Sequence, residues 1–242
     1  DVIAFAPIVE EGWDTVLLEA RNAGIPVILV DRTIQTADES LYAGLIGSDF
    51  YQEGVLAAEY LRRKTDALGR ERMNIVEIRG TENSTPMKQR HAGFMDTIAA
   101  DPRMTILASV DGDFLRSRGA ECMRELLAAF GSEIDVIFSH NDEMTIGALP
   151  EIEKAGFQPG KDMILISIDG GQEAINILKE GRISLTDRIS YSLASTKAIT
   201  GDTVNALYFC GFSIRIIRLS HHLSKLIIYN NDFLFSYASN HI

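Results

Sequence analysis

Two cysteines in 242 residues, Cys122 and Cys210, stand far apart and in no metal or redox spacing, so they encode no thiolate site and do not fix the compartment. No run of 18 or more apolar residues occurs, and none of the chain therefore reads as a membrane-spanning helix. HExxH is missing, as is any Cys/His ligand spacing; GxGxxG after the early strand, GxxxxGK[ST] and GxSxG are missing too. The glycine-containing segment RGTENSTP lacks the lysine of a phosphate loop. No nucleophile–base pair stands out, so no catalytic residue, metal or cofactor is expected. Positive charge is also scarce: the net charge of −11 argues against nucleic acid as a partner held by general electrostatics. No initiator Met opens the sequence and no signal peptide is visible in it. The chain begins at DVIAFAP, already inside an apolar strand-like run, so an N-terminal portion that could carry targeting information is expected to precede it.

What is present is the alternation of an α/β protein. With 46% hydrophobic and 24% charged residues, the chain suits one or two domains with a real core. Strand-like runs fall at 2–6, 25–31, 73–79, 104–110, 134–139 and 163–169. Amphipathic stretches at 11–23, 51–67, 85–100, 116–130, 142–155 and 171–180 separate them, with Val55, Ala58, Leu61 and Met123, Leu126, Leu127 at helical spacing. Strands apolar throughout, each followed by a helix, predict doubly wound parallel sheets covered on both faces. Residues 188–242 break the pattern. They hold 5 of the 23 Lys and Arg, 2 of the 34 Asp and Glu, and 8 of the 19 aromatics, which leaves +3 there and −14 on residues 1–187. This tail has no Glu and no Pro and reads as foreign to the fold.

Open parallel sheets bind ligands outside the carboxyl ends of their strands. Those ends supply Asp31 and Arg32 after VILV, Thr81, Asn83 and Ser84 after β-run 73–79, and Asp111, Asp113 and Phe114 after 104–110. His140, Asn141 and Asp142 follow VIFS, and Asp169, Gly170 and Gly171 close LISID. Each has a plainer reading. Asn141 can cap the next helix, Asp169-Gly170-Gly171 can be a turn, Asp31–Arg32 can be a surface ion pair, and Phe114 can staple a helix. His221-His222, in the tail, reads as incidental. The convergence of several strand ends on one crevice favours a site. Carboxylates, an amide and guanidinium groups in planar, bidentate geometry suit vicinal sugar hydroxyls, and Phe114 or Trp13 could cover the C–H face of a sugar ring.

The stretches DVIAFAP, AGIPVILVDR, IGSDFYQEG, QRHAGF, DGDF, FSHNDEMTIGA and ISIDGG together resemble the periplasmic sugar-binding proteins of bacterial ABC importers, in the ribose-binding superfamily. GWDTVLLEA, SLYAGLIGSDF and NIVEIRGTENS look closest to the galactofuranose-binding type. The resemblance covers residues 1 to about 186. It implies a two-lobe, type I periplasmic binding protein fold, closing by hinge motion around a monosaccharide. Asp31 and Arg32 would bind hydroxyls from the first lobe; Arg90, Phe114, Asn141 and Asp169 would bind from the second, with Phe114 stacked on the ring. Trp13 and Asn83 are not expected to touch ligand. A membrane permease would be the partner, the periplasm (or, tethered, the outer face of a single-membrane bacterium) the location, and a monomer the state. The family opens with a strand–helix unit before the equivalent of Asp1 and returns to the first lobe after SLTD (184–187). This chain is therefore expected to hold a remnant of the first lobe at 1–48, a whole second lobe at 49–187, and an atypical tail at 188–242. The rival reading is the effector domain of a lac-repressor-type transcription regulator, or a sugar sensor, which share the fold.

Overall fold

The computed structural model describes residues 1–188 and, beyond them, the backbones of strands within 192–196, 207–210, 213–216, 225–230 and 233–238. The chain divides into two compact units, one of Asp1–Ser48 with Ser190–Ile242 and one of Asp49–Ile189.

The first unit opens with β1 (Val2–Phe5), α1 (Asp14–Asn22), β2 (Val27–Asp31) and β3 (Gly44–Gly47), the three strands parallel and adjacent. Val27 and Leu29 pack with Leu17, Ile34 and Leu41, while Ile28 packs with Val2, Ala4 and Ile46. Successive side chains of β2 thus meet separate clusters. A strand buried on both faces has no polar side, which is why VILV reads as one apolar run.

In the second unit, α2 (Phe50–Leu68) starts where the Asp49 carboxylate accepts the Gln52 N–H at 2.9 Å and stops at Gly69, in the left-handed region at φ +60°. There follow β4 (Met73–Arg79), α3 (Thr85–Ile98), β5 (Met104–Asp111), α4 (Arg116–Phe130), β6 (Val136–Ser139), α5 (Asp142–Lys154), β7 (Ile164–Asp169), α6 (Gln172–Lys179) and β8 (Leu185–Arg188). The strands form one parallel sheet in the order β5-β4-β6-β7-β8. Along β4, Ile75 joins the cluster that includes Ala57, Leu61 and Phe94 of α2 and α3, and Val76 and Ile78 join the one that includes Met123, Leu126 and Met144 of α4 and α5. Helices cover both faces, as the apolar strands demand. The winding starts in mid-sheet at β4, goes to one edge and then reverses at β6, so β4 and β6 flank a topological switch point.

The remaining strands are β9 (Ser192–Thr196), β10 (Leu207–Cys210), β11 (Ser213–Ile216), β12 (Lys225–Asn230) and β13 (Phe233–Ala238). The backbone of β9 pairs antiparallel with β3, β12 pairs parallel with β1, and β13 pairs with β12. The side chains of 188–242, on which the expectation of a tail foreign to the fold bears, lie outside the described residues, as do His221 and His222.

Candidate functional site

The two units contribute separately. In the first, Asp31 closes β2 with φ at +68°, a left-handed conformation unusual for a residue with a Cβ. Its Oδ2 lies 3.4 Å from Arg32 Nε, and Arg32 Nη1 donates to the Ile8 carbonyl at 3.1 Å. Their side chains are 27% and 20% exposed, so the pair is held at the strand end rather than loose in solvent.

In the second unit the geometry converges on the switch point. Arg90 rises from α3, its side chain 3% exposed. Nε donates to Glu53 Oε2 at 2.8 Å and Nη1 to the His140 carbonyl at 2.5 Å, while Nη2 lies 3.6 Å from Asp169 Oδ1. Its guanidinium lies 5.2 Å from the Phe50 ring and 5.9 Å from the Phe114 ring, within cation–π range of both. Phe114 sits at φ +59°, directly after Asp113 at +55°, and its ring lies over Gly80. A Cβ on Gly80 would fall 1.9 Å from Phe114 Cζ, so only glycine at the end of β4 leaves room for the ring. Asn141 does two jobs: Oδ1 accepts the Met144 N–H at 3.0 Å, capping α5, and Nδ2 donates to the Phe114 carbonyl at 3.2 Å. The plain capping reading holds, and the same amide fixes the aromatic. Asp169 ends β7 at φ +121°.

Arg90, Phe114, Asn141 and Asp169 therefore form one connected cluster. Asp31 and Arg32 form another in the other unit. Trp13 serves the packing of its own unit, where its Nε1 donates to the Val9 carbonyl at 2.8 Å and its ring lies 4.8 Å from Phe5. Asn83, at φ +61°, shapes the turn before α3.

Beneath the cluster lie buried polar groups that a reading of strand ends misses. Glu77, fully buried in mid-β4, accepts from His140 Nε2 at 2.9 Å, from Ser109 Oγ at 2.6 Å, and meets His91 Nδ1 at 2.9 Å. Burial alone would raise its pKa, but the histidine and serine hydrogen bonds hold the carboxyl far below the usual range. His91, bonded to Glu77, is pushed up; His140 is pushed down by complete burial against the pull of Glu77. Glu53 is the second missed acid. A signal for Glu77 exists in the sequence: an acid inside an otherwise apolar strand needs partners, and two histidines supply them. Among the described residues no group of three or more His, Cys, Asp or Glu could hold a metal ion, and no helix is long and apolar enough to cross a membrane.

Residues 1–197 match the model of the periplasmic binding protein domain. The galactofuranose-binding protein YtfQ of Escherichia coli K12 is 36% identical over 196 residues, which cover 80% of this chain and 61% of that protein. The ribose import binding protein RbsB of Bacillus subtilis is 29% identical over 186 residues, 77% of this chain and 56% of its own length. Among solved structures, a Mycobacterium smegmatis protein in complex with β-D-fucofuranose is 40% identical, with a TM-score of 0.75. It covers 78% of this chain, which spans 62% of it. The binding component of the arabinose ABC transporter from Shewanella sp. ANA-3, bound to α- and β-L-arabinofuranose, gives 39% with the same coverage and TM-score. The chain thus spans less than two thirds of these relatives. A doubly wound parallel unit with a polar cluster at its switch point, matched over 1–197, makes the chain a member of the periplasmic binding protein domain family.

Proposed function

We propose that this chain is the solute-binding component of a bacterial sugar importer and that its ligand is a monosaccharide of the furanose class carried by its relatives. The observation that carries the reading is the cluster at the β4–β6 switch point. A guanidinium, an aromatic ring, an amide and a carboxylate meet there, two of them in a backbone conformation that is costly without a purpose. Phe114 would lie against the C–H face of the ring, Arg90 and Asp169 would hold vicinal hydroxyls, and Asn141 would lend its remaining hydrogen-bonding capacity. In the first lobe, Asp31 and Arg32 would be a further carboxylate and guanidinium suited to sugar hydroxyls. The site would work in the periplasm, as a monomer, for a membrane permease. The second lobe would be residues 49–187, with 1–48 belonging to the first and 188–242 as the atypical tail. The relatives above are named as binding proteins and import components, which favours import over regulation.

Charge-assisted hydrogen bonds contribute about 1.5–3 kcal/mol each, so three or four, net of ordering, reach the roughly 8 kcal/mol of a micromolar complex. The test is calorimetric titration of the full chain with L-arabinose, D-galactose, D-fucose and D-ribose. Micromolar binding of at least one is expected, with Asp169→Asn weakening it about 10–100-fold. Absence of heat with all four, at concentrations up to millimolar, would overturn the proposal.

A further inference from the structure

A buried carboxylate with no cation at salt-bridge distance among the described residues invites a question about its use. Asp142, the first residue of α5, is 5% exposed, and burial pushes its pKa up against the pull of its hydrogen bonds. Three donors converge on it: Ser167 Oγ at 2.5 Å and Thr186 Oγ1 at 2.7 Å to Oδ1, and the Gly171 N–H at 2.7 Å to Oδ2. Thr186 Oγ1 in turn accepts the Gly170 N–H at 3.1 Å, and Ser167 Oγ accepts from Thr145 at 2.8 Å. Both donors from the β7 side bracket one residue. Ser167 stands two positions before Asp169, and Gly170-Gly171 follow it directly. Asp169 is held at φ +121°, outside the regions that residues with a Cβ ordinarily occupy, a strain that only over-determined surroundings sustain. Part of the cost of burying Asp142 is met by the amides at the start of its own helix. The rest of the cage is Ser167 and Gly171, from the segment that carries Asp169, and Thr186 from β8.

We infer that Asp142 is a positioning residue: through Ser167, Thr186 and the Gly170-Gly171 amides it locks Asp169 in the conformation that aims its carboxylate at a sugar hydroxyl. The inference rests on the sugar-binding reading and deepens it by assigning affinity to a residue that does not touch the ligand. Thr186 lies on β8, which ends at Arg188, next to the boundary of the unit at Ile189. The cage therefore fastens the ligand-side turn to the strand by which the chain leaves the second unit.

A double-mutant cycle on the full chain, titrated with the tightest of L-arabinose, D-galactose, D-fucose and D-ribose, tests this. Asp142→Asn keeps the shape and one good acceptor for Gly171; it is expected to weaken binding about 10-fold, and Thr186→Val to weaken it by a smaller factor. The decisive measurement is Asp142→Asn placed on Asp169→Asn. If Asp142 acts through Asp169, the double variant binds no more weakly than Asp169→Asn alone; a merely structural role makes the two losses multiply and overturns the inference. Unchanged affinity in both Asp142→Asn and Thr186→Val overturns it as well. If the wild-type chain binds none of the four sugars, the sugar reading fails on its own. The positioning claim is then decided by amide exchange: selective opening of Gly170 and Gly171 in Asp142→Asn at unchanged core protection supports it, and unaltered exchange at the turn overturns it.

Discussion

At the scale of single residues, polar side chains at strand ends are legible because apolar strands make any polar terminus conspicuous. Asp31, Phe114, Asn141 and Asp169 stand out that way, and Arg90 through the resemblance of QRHAGF. The φ values of Asp31, Asn83, Asp113, Phe114 and Asp169 are not legible, since none of these residues is glycine and nothing local marks them. Glu77 escapes a reading of strand ends because it sits inside the strand, where its only mark is an acid in an apolar run. Its cluster carries a pH dependence that can be worked out. The folded pKa of His91 is raised by Glu77 (with Asp96 adding and Arg79 opposing), so its contribution is fully present below the unfolded value of about 6.5 and is lost as pH rises through the higher folded value. The folded pKa of His140 is lowered by burial, with Arg90 and His91 acting in the same direction and Glu77 against it, so stability falls as pH drops below about 6.5. The lowered Glu77 adds a further loss in acid. The cluster therefore places a stability maximum near pH 6.5. Urea unfolding at several pH values between 5 and 8.5 should show a decline on the basic side in the wild type that His91→Gln abolishes, with the acid-side decline retained. An identical basic limb in His91→Gln would contradict the assignment.

At the scale of elements, long amphipathic helices and β-branched strands are readable nearly to their ends. Among the strands up to residue 188, two are not. β3 contains Gly44 and Gly47 in four residues, and β8 reads Leu-Thr-Asp-Arg; neither has an apolar run, and both owe their strand character to a neighbour already in place. The closeness of α2 and α3 is equally silent in the sequence, although it decides where Arg90 stands. A Cβ at Gly54 would lie 2.2 Å from the Arg90 carbonyl oxygen, and one at Gly93 would lie 2.1 Å from that of Tyr51. The helices cross backbone to backbone, and the crossing carries Glu53 on one side and Arg90 on the other. Helix propensity alone would rate Gly93→Ala favourable, since alanine is better than glycine in a helix by about 1 kcal/mol. Packing reverses the sign: no side-chain rotation can relieve contact with a carbonyl oxygen, and overpacking of this kind costs about 1–3 kcal/mol. Gly93→Ala should lower the urea midpoint and, by shifting α3 against α2, weaken sugar binding; a stabilised variant with intact affinity would show that the crossing is not tight.

At the scale of the whole molecule, the two units are built differently along the chain. The second is one continuous stretch, Asp49–Ile189, and its described networks close within it. Arg90 with Glu53, His140 and Asp169, Glu77 with His91, His140 and Ser109, and Asp142 with Ser167, Thr186 and Gly171 all draw on residues between 49 and 189. Both of its hydrophobic clusters do the same. The first unit pairs β1 with β12 and β3 with β9, segments far apart in sequence, so its sheet depends on closing a loop as long as the second unit itself. Composition announces this division only as an abrupt change of charge and aromatic content at residue 188, without saying where the later segments go. The asymmetry predicts how the chain comes apart. Residues 49–189 expressed alone should unfold in a single cooperative urea transition, with a slope of about 1–2 kcal/mol per molar as expected for a domain of this size. Residues 1–48, left with three parallel strands and one helix, should give no cooperative transition, because both outer edges of their sheet, paired with β12 and β9 in the full chain, would be open. A broad, non-cooperative curve for 49–189 would mean that its networks need the rest of the chain, and that Arg90 and Asp169 are not held in place by their own unit.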